Sequence, residues 1–123
     1  VYGTDADFKQ YGDRAHVFLS GTASINNKGE VVHVGNIVKQ TERMWENVGV
    51  LLEEGGASFD DVMQIIVYLR DVCDYPTVNE MFARRFPDTP KVITLAPVCR
   101  PTWLIEMECI AVKKRCNEKY RDF

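Results

Sequence analysis

Long apolar runs are missing from this chain. No stretch approaches the roughly 20 residues that a membrane-crossing helix needs, so no membrane partner is expected. The N-terminus also lacks the basic and apolar blocks of a signal peptide. It starts at Val1 rather than Met, so the chain is open to being trimmed or excised from something longer. For this piece the expectation is a cytoplasmic location. A basic excess is missing too, with a formal net charge of -3. Nucleic-acid binding depends on Lys and Arg neutralising phosphates, so no nucleic acid is expected. The one basic run, Lys113-Lys114-Arg115, is followed by Glu118 and Asp122 and reads as solvated tail. Cysteine is sparse: Cys73, Cys99, Cys109 and Cys116, with no CxxC pair. That argues against a disulfide framework and for a reducing compartment. The two histidines, His16 and His33, stand at no metal-ligand spacing. No metal site is read.

What is present is enough core for one domain. The chain has 123 residues, 46% hydrophobic and 27% charged, a composition ordinary for a globular protein. Repeats, low-complexity tracts and linkers are lacking, so residues 1–123 read as a single domain with residues 114–123 as a polar C-terminal tail. Residues His16 to Ile25 alternate as a strand. Asn26-Asn27-Lys28-Gly29 has turn chemistry, and Glu30 to Val34 is expected to return as a second strand. Phe8 to Tyr11 is a possible short strand in front.

From Asn36 the period becomes helical: Ile37, Val38, Thr41, Met44, Trp45, Val48, Leu51 and Leu52 share one side. Asn36 can cap this helix and Gly55-Gly56 can stop it. Ser58 to Asp61 has capping-box spacing. Val62 to Leu69 reads as a strand buried on both faces. A second helix follows Asp74, with Pro76 in its first turn, Tyr75, Val78, Phe82 and Phe86 on one side, and Pro87 at its end. Val92 to Val98 and Leu104 to Val112 complete the strands.

Two helices cannot cover both faces of such a sheet. The expected fold is therefore an α+β two-layer sandwich, with a mixed β-sheet and both helices on one face. In the last strand, side chains alternate between faces. Ile105, Met107, Cys109 and Ala111 share one face; Leu104, Glu106, Glu108, Ile110 and Val112 share the other. The second face also bears either Ile66 and Tyr68 or Ile65, Val67 and Leu69, since sequence alone leaves the register open. Such a face is too apolar for water, which implies a homo-oligomer with Glu106 and Glu108 near subunit boundaries.

In this order the chain carries Phe18-Leu19-Ser20-Gly21, then Gln40-Thr41 through Asn47-Val48, then Val67-Tyr68-Leu69-Arg70-Asp71. Asp74 through Val78-Asn79 and Phe82 follow, and finally Leu104-Ile105-Glu106-Met107-Glu108-Cys109-Ile110-Ala111-Val112. The ordered set, from about His16 to Lys113, strongly resembles the Rid family, also called YjgF. The resemblance implies a homotrimer of chorismate-mutase-like subunits with clefts between neighbours. It also implies cofactor-free hydrolysis of reactive enamines and imines to ketoacids and ammonia. Family members clamp the substrate carboxylate with an arginine on the penultimate strand. They position a water with a glutamate in the E-x-E pattern of the last strand.

By that resemblance Glu106 is the catalytic candidate and Glu108 a structural neighbour. A carboxylate near an imine carbon can orient water and pass protons to the leaving amine, while a guanidinium fork suits a substrate carboxylate. Counting back from Glu106 puts Lys91 where the family arginine stands. Arg100 is the other candidate anion clamp, and both Lys91 and Arg100 also fit plain surface roles. Ser20, Gly21, Tyr68 and Asn79 are cleft residues by family position. Cys99 beside Arg100 is a possible nucleophile or a buried bystander. The leading expectation is a hydrolase or deaminase of small carboxylated enamine or imine metabolites. A non-catalytic module binding a 2-ketoacid or other small anion is the alternative. The segment Val98-Cys99-Arg100-Pro101-x-Trp103-Leu104 is also similar to one in chorismate-hydrolysing relatives, which leaves a chorismate-type hydrolase domain open. A ribonuclease reading, following names once attached to the family, suits the acidic balance least.

Overall fold

The computed structural model describes residues 6–11, 14–98 and 100–114, with residues 6–11 and 114 described by backbone alone. The order is β1 (Ala6–Tyr11), β2 (Arg14–Thr22), α1 (Ile37–Glu54), β3 (Val62–Leu69), α2 (Tyr75–Arg85), β4 (Lys91–Leu95) and β5 (Ile105–Lys114). Single 3-10 turns at Phe59–Asp61 and Val72–Asp74 lead into β3 and α2 respectively. The strands form one sheet in the order β1-β2-β5-β3-β4. Only β3 and β4 are parallel, and α2 supplies the crossover that a parallel pair needs. The sheet is mixed and both helices pack into a single core on one of its faces, as expected from the helix count.

Local chemistry explains the helix limits. The Asn36 side chain accepts from Lys39 N at 3.0 Å, and Gly56 takes a left-handed φ of 76° just past the end of α1. Glycine adopts that conformation without the Cβ clash that other residues meet. Ser58 and Asp61 form the expected capping box. Along α1 the buried residues are Gln40, Thr41, Met44, Trp45, Asn47, Val48, Leu51 and Leu52. Val38 is exposed instead, and two amides take places in the apolar stripe. Tyr75 is likewise exposed, while Val78, Phe82 and Phe86 are buried as their spacing implies.

Three expectations change. Glu30 to Val34 is not a strand: one bridge, Ile25 to Val31, is all that forms. The Asn26 side chain accepts from Lys28 N and Glu30 N, and the chain then turns through His33 and Gly35 into the Asn36 cap. Too few residues remain to extend a ladder. The true hairpin partner of β2 is β1. Lys114 also belongs to β5, paired with Arg14, and the Lys113 ammonium donates to Gly56 O at 2.6 Å. A cation therefore sits beside the carbonyl end of α1, not in a free tail; residues 115–123 lie outside the described set. Finally, β3 is buried on its helix face through Val62, Ile65, Val67 and Leu69, whereas Ile66 and Tyr68 stand half-buried on the other. A bulge between Val62 and Gln64 leaves Met63 exposed.

The core centres on Phe82, whose ring meets Trp45 edge-on at 5.2 Å and lies 5.9 Å from Phe86. Arg85 covers the cluster, its guanidinium 4.7 Å from the Trp45 ring centroid and 4.6 Å from that of Phe59. Phe82 is fully buried, so Phe82→Ala should destabilise the fold by about 3–5 kcal/mol. Urea titration reads this; a loss below about 1 kcal/mol would mean that the cluster is not central.

Candidate active site

β5 runs between β2 and β3, antiparallel to both. Ile105, Met107, Cys109 and Ala111 are buried against the helices. Alternation therefore stands Glu106, Glu108, Ile110 and Val112 on the helix-free face. Register pairs Tyr68 with Glu106 and Ile66 with Glu108. This settles which side of β3 joins the carboxylates: Ile66 and Tyr68 do.

A bulge in β2 completes the surroundings of Glu106. Leu19 pairs with Cys109 and Thr22 with Met107, so one extra β2 residue is accommodated between them. The bulge spans Ser20 and Gly21, and the Thr22 hydroxyl donates back to Ser20 O at 3.1 Å. It brings Gly21 directly under the Glu106 carboxylate. A Cβ at position 21 would collide with Glu106 Oε1. Glycine is needed here for close approach rather than for backbone freedom.

Burial raises the Glu106 carboxyl above the ordinary carboxylate range, and the charge of Glu108 adds to the effect. Glu108 is itself held: the Tyr68 hydroxyl donates to its Oε1 at 2.8 Å. That hydrogen bond, then burial, then the charges of Glu108 and Glu106 raise the Tyr68 pKa. Glu108 also lines a groove of about 320 Å³ on the same face with Phe18, Ser20, Gln64, Ile66 and Ile110. Burial, followed by the Glu108 charge, pushes the Cys109 thiol up to about 12. At neutral pH it stays a buried thiol and is no nucleophile.

The structure thus gathers Ser20, Gly21, Tyr68 and Glu106 on one face. Lys91 goes elsewhere. It pairs with Ile65, which pairs with Cys109, and both of these point into the helix layer. Its ammonium donates to Phe86 O at 2.7 Å and to Thr89 O at 3.3 Å, tying β4 to the end of α2. Asn79 is exposed on α2, in the helix layer. Cys99 lies outside the described residues. Arg100 sits on the segment leading into β5, donates to Gly29 O and stacks 5.3 Å from the Trp103 ring centroid.

The segment before β5 is fastened by residues that sequence reading left without a role. Arg70 donates to Trp103 O at 2.8 Å, Val98 O at 3.0 Å and Arg100 O at 2.6 Å. Gln40 donates to Thr102 O and accepts from Leu104 N, each at 3.0 Å. Asn47 donates to Ala23 O and Ile25 O. Ala23, Ile25, Val98 and Trp103 form a small second core, packed against Val31 and Tyr68. The visible signal was two amides seven residues apart inside an apolar helical stripe, hence on one face. These contacts give Val98, Thr102, Trp103 and Leu104 places in the scaffold.

Comparison with known proteins agrees with this architecture. The family described as Endoribonuclease L-PSP matches residues 6–113. A RutC family protein of Pyrococcus abyssi is 39% identical over 101 residues, 80% of this chain and 79% of the relative. The chain belongs to the Rid (YjgF) family. A second Rid relative, the 3-aminoacrylate deaminase RutC of Acinetobacter baylyi, is 32% identical over 97 residues, 77% of each chain. A solved structure from Thermotoga maritima superposes with a TM-score of 0.73 at 33% identity, covering 87% of this chain and 84% of its own. The Escherichia coli YjgF structure, at 23% identity and a TM-score of 0.73 over 93% and 91%, shares the fold.

The position of Glu106 makes stability depend on pH. Its proton is held more tightly in the folded chain than in the unfolded one. Its contribution is therefore full below the unfolded carboxylate range and is lost as pH rises through the raised folded value. Glu106→Gln removes that loss. Relative to the parent, the variant should gain stability in urea titrations as pH rises from the ordinary carboxylate range to neutral. A relative loss over that interval would contradict the assignment.

Proposed function

We propose that this Rid protein is a cofactor-free deaminase of small carboxylated enamines and imines. It would act in the cytoplasm from clefts between the subunits of a homotrimer. The observation that carries the reading is the half-buried Glu106 carboxyl, seated on Gly21 with its proton affinity raised. Support also comes from the 3-aminoacrylate deaminase relative. The trimer rests on the helix-free sheet face, where Phe18, Ile66, Ile110 and Val112 remain only half-buried in one chain. Copies of the same chain packing there would cover it.

The chemistry is a proton-transfer sequence. Glu106 gives its proton to the enamine carbon, and the C=C pair forms the new C–H bond, leaving an iminium. The resulting carboxylate takes a proton from water as the water oxygen bonds to the iminium carbon. The amine nitrogen takes the proton now on Glu106 and leaves as ammonia when the C–N bond breaks, while the hydroxyl proton passes to the Glu106 carboxylate, giving the carbonyl and restoring the starting acid. One water is consumed and no oxidant or reductant is needed. We favour Arg100 as the substrate-carboxylate clamp, because its described hydrogen bond, to Gly29 O, engages one end of the guanidinium fork and leaves the rest for a ligand, whereas Lys91 is a point charge tied to the Phe86 and Thr89 carbonyls. That commitment also favours a second reading, in which the site binds a 2-ketoacid or similar anion without turnover.

Ammonia release from freshly generated 3-aminoacrylate, and from alanine-, leucine- and serine-derived imines, separates the two. Glu106→Ala should lower turnover by about 10²–10⁴-fold. Gly21→Ala should also lower it while leaving the fold within about 1 kcal/mol of the parent, because the displaced atom is the end of a flexible side chain. Saturable 2-ketoacid binding without ammonia from any of these substrates would favour the binding module.

The two cations should part in the same assay. Arg100→Ala should raise KM for a carboxylated substrate, whereas Lys91→Ala should cost about 1 kcal/mol of stability through the lost helix-end tie. The reverse pattern, with Lys91→Ala raising KM, would make Lys91 the clamp.

A further inference from the structure

Glu108 has no step in the sequence above, yet it is placed with care. It shares a face with Glu106 two residues on, about 7 Å along the strand. A surface carboxylate there would be free to swing into water. Glu108 is restrained, because Tyr68 reaches diagonally across the ladder from its position opposite Glu106 and donates its hydroxyl to Glu108 Oε1 at 2.8 Å. The three side chains form a triangle spanning β3 and β5, its Glu106 corner resting on the β2 bulge.

We propose that Glu108, locked by Tyr68, is a positioning residue that keeps Glu106 in its proton-carrying form for delivery to the substrate. This rests on the deaminase reading of the site. A like charge held at a fixed place disfavours ionisation of its neighbour, and burial of Glu106 works in the same direction. The cations on the neighbouring elements are Arg70, at the end of β3, and Arg100, on the segment entering β5; burial and Glu108 outweigh them in setting the direction of the Glu106 shift. β2 presents Ser20 and Gly21 there, and its His16 stands farther along, opposite Val112. From β3 the facing group is Tyr68, and Arg70 at its end keeps its charge while its N–H groups bind the Val98, Arg100 and Trp103 carbonyls. On the segment entering β5, Arg100 donates to Gly29 O. A Glu108 free to rotate would act weakly and variably; the tyrosine bond makes its field constant.

Two readouts test this on the intact protein: the pH profile of kcat/KM on 3-aminoacrylate, and a carbon-13 NMR titration of the Glu106 carboxyl, which needs no turnover. In Glu108→Gln both the NMR midpoint and the alkaline limb of the profile should move to lower pH. Tyr68→Phe should move them the same way by less, and should add nothing when combined with Glu108→Gln. An unchanged Glu106 midpoint in Glu108→Gln overturns the proposal. A midpoint that shifts in a protein that never releases ammonia removes the deaminase reading, and the proton-delivery role with it. The hold of Tyr68 and Glu108 on Glu106 would then stand alone.

Discussion

The central strand β5 is the constraint on which the rest of this protein depends. It is hydrogen-bonded on both sides, and its side chains must alternate. A one-residue slip against β2 and β3 would send Ile105, Met107, Cys109 and Ala111 to the open face and both glutamates into the helix-covered core. Burying a single large apolar side chain is worth about 1.5–3 kcal/mol, and an unpaired carboxylate in the core costs several. The register that buries the four apolar residues wins by a wide margin. Standing Glu106 and Glu108 side by side is the consequence, and their mutual repulsion is a small term beside it.

Polar side chains then fix what the strands leave loose. Gln40 and Asn47 are buried, but their amides are used on backbone groups of the two loops that flank the site. A buried amide with its partners in place is stabilising, whereas the same amide unpaired would be costly. Arg70 performs the same service with a guanidinium whose planar fork reaches three carbonyls. Together they hold Val98 and residues 100–104 against the Ala23 to Val31 loop, and the small Trp103 core fills the space between. Membership of the Rid family places this chain among proteins that share this scaffold, including one named as a 3-aminoacrylate deaminase. Within one chain the Lys91 ammonium serves the end of α2.

Much of the architecture was legible in the chain. Heptad-like spacing marked α1, period-two alternation marked β2 and β5, and Asn36, Gly56, Ser58 and Pro76 punctuated the helices where expected. Glu106 stood out because a carboxylate amid apolar strand residues has few bland explanations. The hairpin was misplaced because the Asn26 turn is equally compatible with a strand or with a single bridge. What decides is how soon the chain must enter the next helix. The contacts of Lys91 could not be read, because counting residues assigns a position along a strand without assigning its face.

Local sequence, then, determined which segments are helix or strand and which of their residues seek burial, because propensity and periodicity act over neighbours. Only the tertiary structure decided the parallel pairing of β3 with β4 and the bulge that sets Gly21 under Glu106. It alone decided the reach of Tyr68 to Glu108 and the capture of Lys91 by carbonyls of another element. Each of these depends on register between strands distant in the chain, and register is settled by the summed packing of the whole sheet rather than by any segment alone.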